Sequence, residues 1–191
     1  MSQTTNIIEH NINEHDFVNY FAYSGTIPVT KGTAVTFVSS SGFRTNETDS
    51  KVLGWPGMSS YGNTVSTQWG TQALVRNAGS GDAVLGILRY DVRSVDENNI
   101  PLTFYSQKAA ENNWILSGQT VPIITRGFVF YSGYNIGGTV SAGAKIYVSG
   151  AAGSEGGELF AGTNASTAVL GRAWGGKGDR DFFLLEVNPA L

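Results

Sequence analysis

The segment Val29-Thr-Lys-Gly-Thr-Ala-Val-Thr-Phe-Val-Ser39 returns, slightly altered, as Val140-Ser-Ala-Gly-Ala-Lys-Ile-Tyr-Val-Ser149. Each copy is followed by the same four residues, Ala83-Val-Leu-Gly86 and Ala168-Val-Leu-Gly171. In both copies a glycine turn at Gly32 or Gly143 opens a short alternating strand, and the Ala-Val-Leu-Gly stretch supplies a strand that can pair with it. A supersecondary unit stated twice predicts two related β-lobes. The repeated residues contain no His, no Cys and no paired carboxylates, which turns the reading away from catalysis and toward a built surface.

Turn signals recur at short intervals: Ser24-Gly25, Lys31-Gly32, Ser41-Gly42, Pro56-Gly57, Ser117-Gly118 and Gly137-Gly138. Together with the β-branched and aromatic runs between them, they predict an all-β barrel-like or sandwich-like body. The expected strands include 34–39, 73–75, 84–92, 102–105, 121–124, 127–131, 145–148, 159–161, 169–174 and 182–187. Only Ser106-Gln-Lys-Ala-Ala-Glu-Asn-Asn113 reads as helix, with Ser106 as cap and Ala109 and Ala110 as helix formers. Residues 1–22 read as an extended N-terminal arm ahead of a single β domain over 23–191. The loose spacing of Ile8, Ile12 and Phe17 and the Asn-rich composition make an isolated helix there marginal. The stretch 43–81 separates the first glycine-turn strand from its Ala-Val-Leu-Gly partner by about twice the distance in the second copy, and reads as a long loop insertion.

Several function classes are disfavoured by composition. The absence of cysteine removes disulfides and thiolate metal sites. A net charge of −3 with no basic run argues against nucleic acid as a partner. No stretch approaches the roughly 18 apolar residues of a membrane-spanning helix, and no signal-like N-terminus is present, so a soluble protein made in the cytoplasm is expected. His10 and His15 are five apart and do not share a helix face as metal ligands would. Asp96-Glu97 and the pair Asp179 and Asp181 are the tightest carboxylate clusters, each more simply a solvated loop. The Gly-rich stretches 150–157 and 175–178 open no convincing helix and lack a phosphate-binding signature. These readings predict no enzyme, no cofactor and no metal. Within 86–92, alternation sends Leu88, Tyr90 and Val92 to one face and Ile87, Arg89 and Asp91 to the other, making Arg89 and Asp91 candidates to face solvent or a partner. Trp55 and Trp69, each beside turn residues, are candidates for the same role in the loop insertion.

Three motifs carry a family resemblance. They are the Val-x-x-Gly-x-x-Val/Ile turn-strands at Val29 and Val140, the Gly-x-x-Val-x-Gly strand over 81–86, and Val121-Pro-Ile123 followed by Gly127. Across residues 27 to 187 the chain resembles the capsid decoration, or cement, proteins of tailed bacteriophages. The resemblance implies a virion structural protein that binds the major capsid protein on the outer face of the shell and stabilises it, as a homotrimer. It also implies an arm that reaches across capsid subunits. Residues 1–22 fit that arm, and its apolar residues Ile7, Ile8, Ile12, Phe17 and Tyr20 are the candidates for capsid contact. The alternative is a head-fibre or baseplate β-domain that binds host-surface carbohydrate through Trp55, Trp69 or Trp174.

Overall fold

The computed structural model describes residues 6–9, 17–25, 27–38, 74–79, 81–116, 119–132, 136, 139–149, 156–162, 169–176 and 182–189. In chain order these residues form β1 (Asn6–Glu9), β2 (Phe17–Tyr23), β3 (Ala34–Phe37), β4 (Leu74–Asn77), β5 (Val84–Leu88) and β6 (Val92–Arg93). A 3-10 turn (Leu102–Phe104), helix α1 (Ser106–Glu111) and β7 (Ile115–Leu116) come next. The chain continues through β8 (Thr120–Ser132), β9 (Lys145–Ser149), β10 (Glu158–Ala161), β11 (Val169–Ala173) and β12 (Phe182–Val187). The fold is all-β: one strongly curled ten-stranded sheet and a two-stranded sheet of β6 and β7, with α1 as the single short α-helix among the described residues.

The curl comes from β8, which is long enough to serve two groups of strands. Its first half pairs with β2 and with β5, while β2 pairs with β4, β4 with β3, and β3 with β5. These five pairings close a circuit. Val35, Val75, Leu88, Val121 and Ile123 fill its interior, joined by Phe21 and Tyr23 of β2. The second half of β8 pairs with β12, and β12 leads through β11 and β9 to β10. Gly127, at φ 138°, marks the junction between the halves and takes a backbone conformation that a side chain would strain. A second core joins Val129, Ile146, Leu159, Leu170 and Leu185 of this half to Ala34, Ile87 and Ile124 from the outer face of the circuit. Strands β3 and β5 therefore contribute to both cores, Val35 and Leu88 to the circuit and Ala34 and Ile87 to the second core, while Phe37 at the end of β3 stays exposed.

The repeat seen in the sequence is a repeat of register and hydrogen bonds. Val35 stands opposite Gly86 and Thr36 opposite Val84, with a bulge between; Ile146 stands opposite Gly171 and Tyr147 opposite Val169, with the same bulge. Gly32 N–H donates to Leu88 O at 2.8 Å, and its counterpart Gly143 donates to Ala173 O at 2.7 Å. Both turn glycines have positive φ, 83° and 79°. Arg89 N–H donates to Pro122 O, as Trp174 N–H does to Leu184 O. The correspondence extends past the repeated words. Phe37 faces Val75 as Val148 faces Leu159, and Phe21 faces Val121 as Tyr131 faces Phe183. Five strands in each half thus correspond: β2, β3, β4, β5 and the first half of β8 with the second half of β8, β9, β10, β11 and β12.

This correspondence relocates the insertion. The intervals after β4 and β10, residues 78–83 and 162–168, are of similar length, whereas 38–73 stands where the second unit has only 150–157. The excess lies between the first two strands of its glycine-turn unit and ends before β4, earlier than the expected boundary at Gly81.

Three expectations need correction. The N-terminal region is not an arm standing wholly ahead of the body: β2 pairs along six residues of β8, and β1 pairs antiparallel with its second half, Ile7 opposite Tyr131 and Ile8 opposite Phe130. The physical reason is a period of two in 17–23, which sends Phe21 and Tyr23 into the circuit while Val18 packs on the other core. The expected strand 84–92 stops at Leu88 because the chain bends at Arg89 and Tyr90. The expected strand 102–105 is a 3-10 turn that buries Leu102.

Candidate functional site

Between β6 and β7 the chain makes a helical excursion over residues 94–114 that projects from the first unit. Its base is an acidic turn. Asp96 Oδ1 accepts the backbone N–H groups of Asn98 at 2.8 Å and Ile100 at 2.9 Å, while its Oδ2 accepts Lys108 Nζ at 2.9 Å. Lys108 also donates to Glu97 Oε1 at 2.8 Å, so one ammonium on α1 ties both carboxylates of the turn. Lys108's hydrogen bond, aided in Asp96 by the turn N–H bonds, holds both carboxyls below their ordinary range, and the two carboxylates hold Lys108 above its own. The Asp96-Glu97 cluster is accordingly a clamp for the excursion.

The helix end aims the next residues. Asn113 adopts φ 54°, a left-handed conformation that asparagine tolerates better than most side chains. Trp114 N–H donates to Ala109 O at 2.8 Å and Asn113 N–H to Ala110 O at 3.1 Å, the paired bonds of a Schellman cap. The chain then passes directly into β7, where Ile115 N–H donates to Asp91 O and the strand pairs in parallel with β6. Trp114 is thereby fixed beside Arg93, whose guanidinium lies 4.8 Å from the indole centroid.

These elements border an open cleft of about 390 Å³. Lys31 comes from the first glycine turn, Arg89 and Tyr90 from the bend after β5, and Asn112, Asn113 and Trp114 from the end of α1. Asp91 forms the floor and is 8% exposed. Its Oδ1 accepts the Lys31 N–H at 2.8 Å and its Oδ2 accepts Arg93 Nη2 at 3.0 Å. Arg93 Nε is buried with no hydrogen-bond partner among the described residues, and the guanidinium rests on the indole instead. The guanidinium of Arg89 lies 5.2 Å from the Tyr90 ring.

The residues singled out in the sequence fall in different places. Arg89 and Asp91 do not share an exposed strand face: Arg89 lines the cleft, and Asp91 turns its carboxylate inward to the Lys31 amide and Arg93, because the strand ends before them. Tyr20 is 57% exposed on β2, Phe17 begins β2 opposite Arg126, and Ile7 and Ile8 lie in β1. Ile12, Trp55, Trp69, both histidines, Asp179 and Asp181 lie outside the described residues. Trp174 is exposed, donates Nε1–H to Glu186 Oε2 at 2.8 Å and meets Phe128 edge to face. Sequence reasoning gave Trp114, Tyr90 and Lys31 no joint role. A Lys-Gly turn and a Trp after a short helix share no local signal, and only the pairing of β6 with β7 brings them together.

A separate feature sits on the same excursion. Phe104 is 81% exposed, Tyr105 55% and Ile100 40%, three large apolar residues within one short stretch. Among the described residues, no group of three His, Asp or Glu stands together as metal ligands would, and no helix is long and apolar enough to cross a membrane. A scan of family models, a search of curated proteins and a search of solved structures each found no match to this chain.

Proposed function

We propose that this protein is a virion structural protein that binds the outer surface of a tailed-phage capsid and stabilises it, acting as a trimer. The observation that carries the reading is the cluster of Ile100, Phe104 and Tyr105, exposed on an excursion that Asp96 and Lys108 hold in one shape. Large aromatics left in water on a pre-ordered support suit a contact surface, since they lose little conformational freedom on docking. The motif resemblance to decoration proteins supplies the partner. Repetition over a lattice lets a modest interface hold firmly, because each further contact of a trimer is made at high effective concentration. Tyr20 and Trp174 offer further exposed aromatic surface for neighbouring copies or subunits.

Co-sedimentation with shells of the major capsid protein from its own virion tests the reading. The wild-type chain is expected to pellet with shells, and the double substitution Phe104→Ser with Tyr105→Ser to stay in the supernatant while remaining folded. Wild-type behaviour of the double variant would remove the excursion from the interface. No pelleting of the wild-type chain would remove the capsid reading itself.

A further inference from the structure

We infer that the outward face of the second unit is a docking surface for an acidic segment of a partner protein, with Lys145 and Arg172 receiving its carboxylates and Trp174 its apolar side chains. This goes beyond capsid binding, since it rests on different residues from the Ile100 to Tyr105 surface and on a different chemistry.

The correspondence between the two units locates the surface. In the first unit Ala34, Ile87, Ile124 and Val18 stand opposite one another in a row across β3, β5, β8 and β2. All four pack into the second core, so this row is where the second unit covers the first. The equivalent row across β9, β11, β12 and β8 is Lys145, Arg172, Glu186 and Phe128. It points away from the second core, because the core residues Ile146, Ala173, Leu185 and Val129 alternate with it along the strands. The same backbone surface therefore recurs with cations at its positions on β9 and β11.

Three features select the partner. First, Lys145 and Arg172 are exposed like charges set directly opposite each other, a pairing that costs stability in a sheet. Neither has a hydrogen bond or an ion pair among the described residues. Glu186 faces Arg172 from the other side, but its Oε2 accepts the Trp174 Nε1–H at 2.8 Å. An incoming carboxylate meets two neighbouring cations, one of them able to bind it with two parallel hydrogen bonds. Secondly, Trp174 stands exposed two residues beyond Arg172, yet Glu186 and an edge-to-face contact with Phe128 at 5.4 Å hold its ring in place. A large ring already ordered loses little freedom when a partner covers it. Thirdly, the face rejects other occupants. An apolar sheet like the one that covers the first unit would bury both cations without counter-charges. A nucleic-acid strand would gain only two phosphate contacts here, too few to hold it on a chain whose net charge is −3.

Amide chemical-shift mapping and tryptophan fluorescence on the intact chain test the inference, with the peptide Glu-Glu-Phe-Glu-Glu-Phe-Glu-Glu as probe and Gln-Gln-Phe-Gln-Gln-Phe-Gln-Gln as neutral control. No shell is present, so failure here is separate from failure of the capsid reading. The acidic peptide is expected to bind with a Kd of about 1 mM or below, more weakly as salt is raised, and to shift amides around 145, 172–174 and 186. The glutamine peptide should bind at least about tenfold more weakly. Lys145→Gln combined with Arg172→Gln should weaken the acidic peptide about tenfold or more with an unchanged melting curve. Should that variant lose its fold, the shift mapping on the wild-type chain decides the location. Lys145→Ala combined with Arg172→Ile copies the row of the first unit and separates docking from mere protection of the face. Self-association of this variant in gel filtration, while the wild-type chain binds no acidic peptide, would show that the cations only keep the face bare. That result, any other absence of binding by the acidic peptide, equal binding of the glutamine peptide, or shifts mapping elsewhere would overturn the inference.

Discussion

Two glycines show most clearly how single residues secure this architecture. Gly86 and Gly171 occupy equivalent places beside the two bulges, and a Cβ at either would fall inside contact distance of a backbone carbonyl, that of Ile124 or of Glu186. Neither carbonyl can rotate away, because each belongs to a strand paired with the glycine's own. Gly86→Ala and Gly171→Ala should each destabilise the fold by about 1–3 kcal/mol or more, measured by urea denaturation, whereas Gly81→Asn, in open space with positive φ, should cost less. The Asp96, Glu97 and Lys108 clamp makes a pH prediction. Carboxyls whose folded pKa is depressed contribute stability that is fully present above their ordinary values, about 4, and lost as pH falls through the depressed ones. Lys108, raised in the folded state, contributes below its ordinary value of 10.5 and ceases to as pH rises through the raised one. The clamp is therefore complete between about pH 5 and pH 10. Lys108→Met should shrink the loss of denaturation midpoint between pH 7 and pH 3; an undiminished loss would show that the acid sensitivity arises elsewhere.

At the scale of elements, β1 and β2 differ in what they support. β2 closes the first circuit between β8 and β4, with Phe21 and Tyr23 in its core and the Tyr23 hydroxyl donating to Asn77 Oδ1 at 2.6 Å. Burial pushes the Tyr23 hydroxyl pKa far up, consistent with a ring held inside. β1 lies along the edge of β8 opposite β12, the edge that β4 covers beside β2 in the first unit. Truncation of residues 1–16 should therefore leave a folded protein with an exposed strand edge that self-associates, whereas truncation of residues 1–23 should abolish folding. Circular dichroism with size-exclusion chromatography distinguishes the two, and a folded monomer after the longer truncation would contradict the role given to β2. The N-terminal sequence conceals this difference. Asn-rich composition reads as an arm, and the period of two that makes 17–23 a strand covers only a few residues, too few to outweigh composition without knowing that β8 offers an unpaired edge.

At the scale of the whole molecule, the legible part is what repeats. Gly32 with Ala34, Gly143 with Lys145 and the two Ala-Val-Leu-Gly stretches encode turns and strands locally, so the pairing of β3 with β5 and β9 with β11 is legible in the sequence. The sharing of β8 between units could not, since Val121–Ile124 and Gly127–Tyr131 read as two strands and their fusion depends on a single glycine conformation at Gly127. The cleft was illegible for a related reason: its residues come from three separated segments. The structural features divide in the same way: the duplicated β-scaffold holds the two cores, and the non-repeated excursion over 94–114 carries both the exposed aromatic surface and one wall of the cleft. A cryo-electron microscopy reconstruction of the virion is the most direct test of the proposed role. It should show trimers of this chain repeated over the outer face of the shell, with Ile100, Phe104 and Tyr105 against the major capsid protein. Density for the chain on the tail, baseplate or a fibre, or none on the particle, would contradict it.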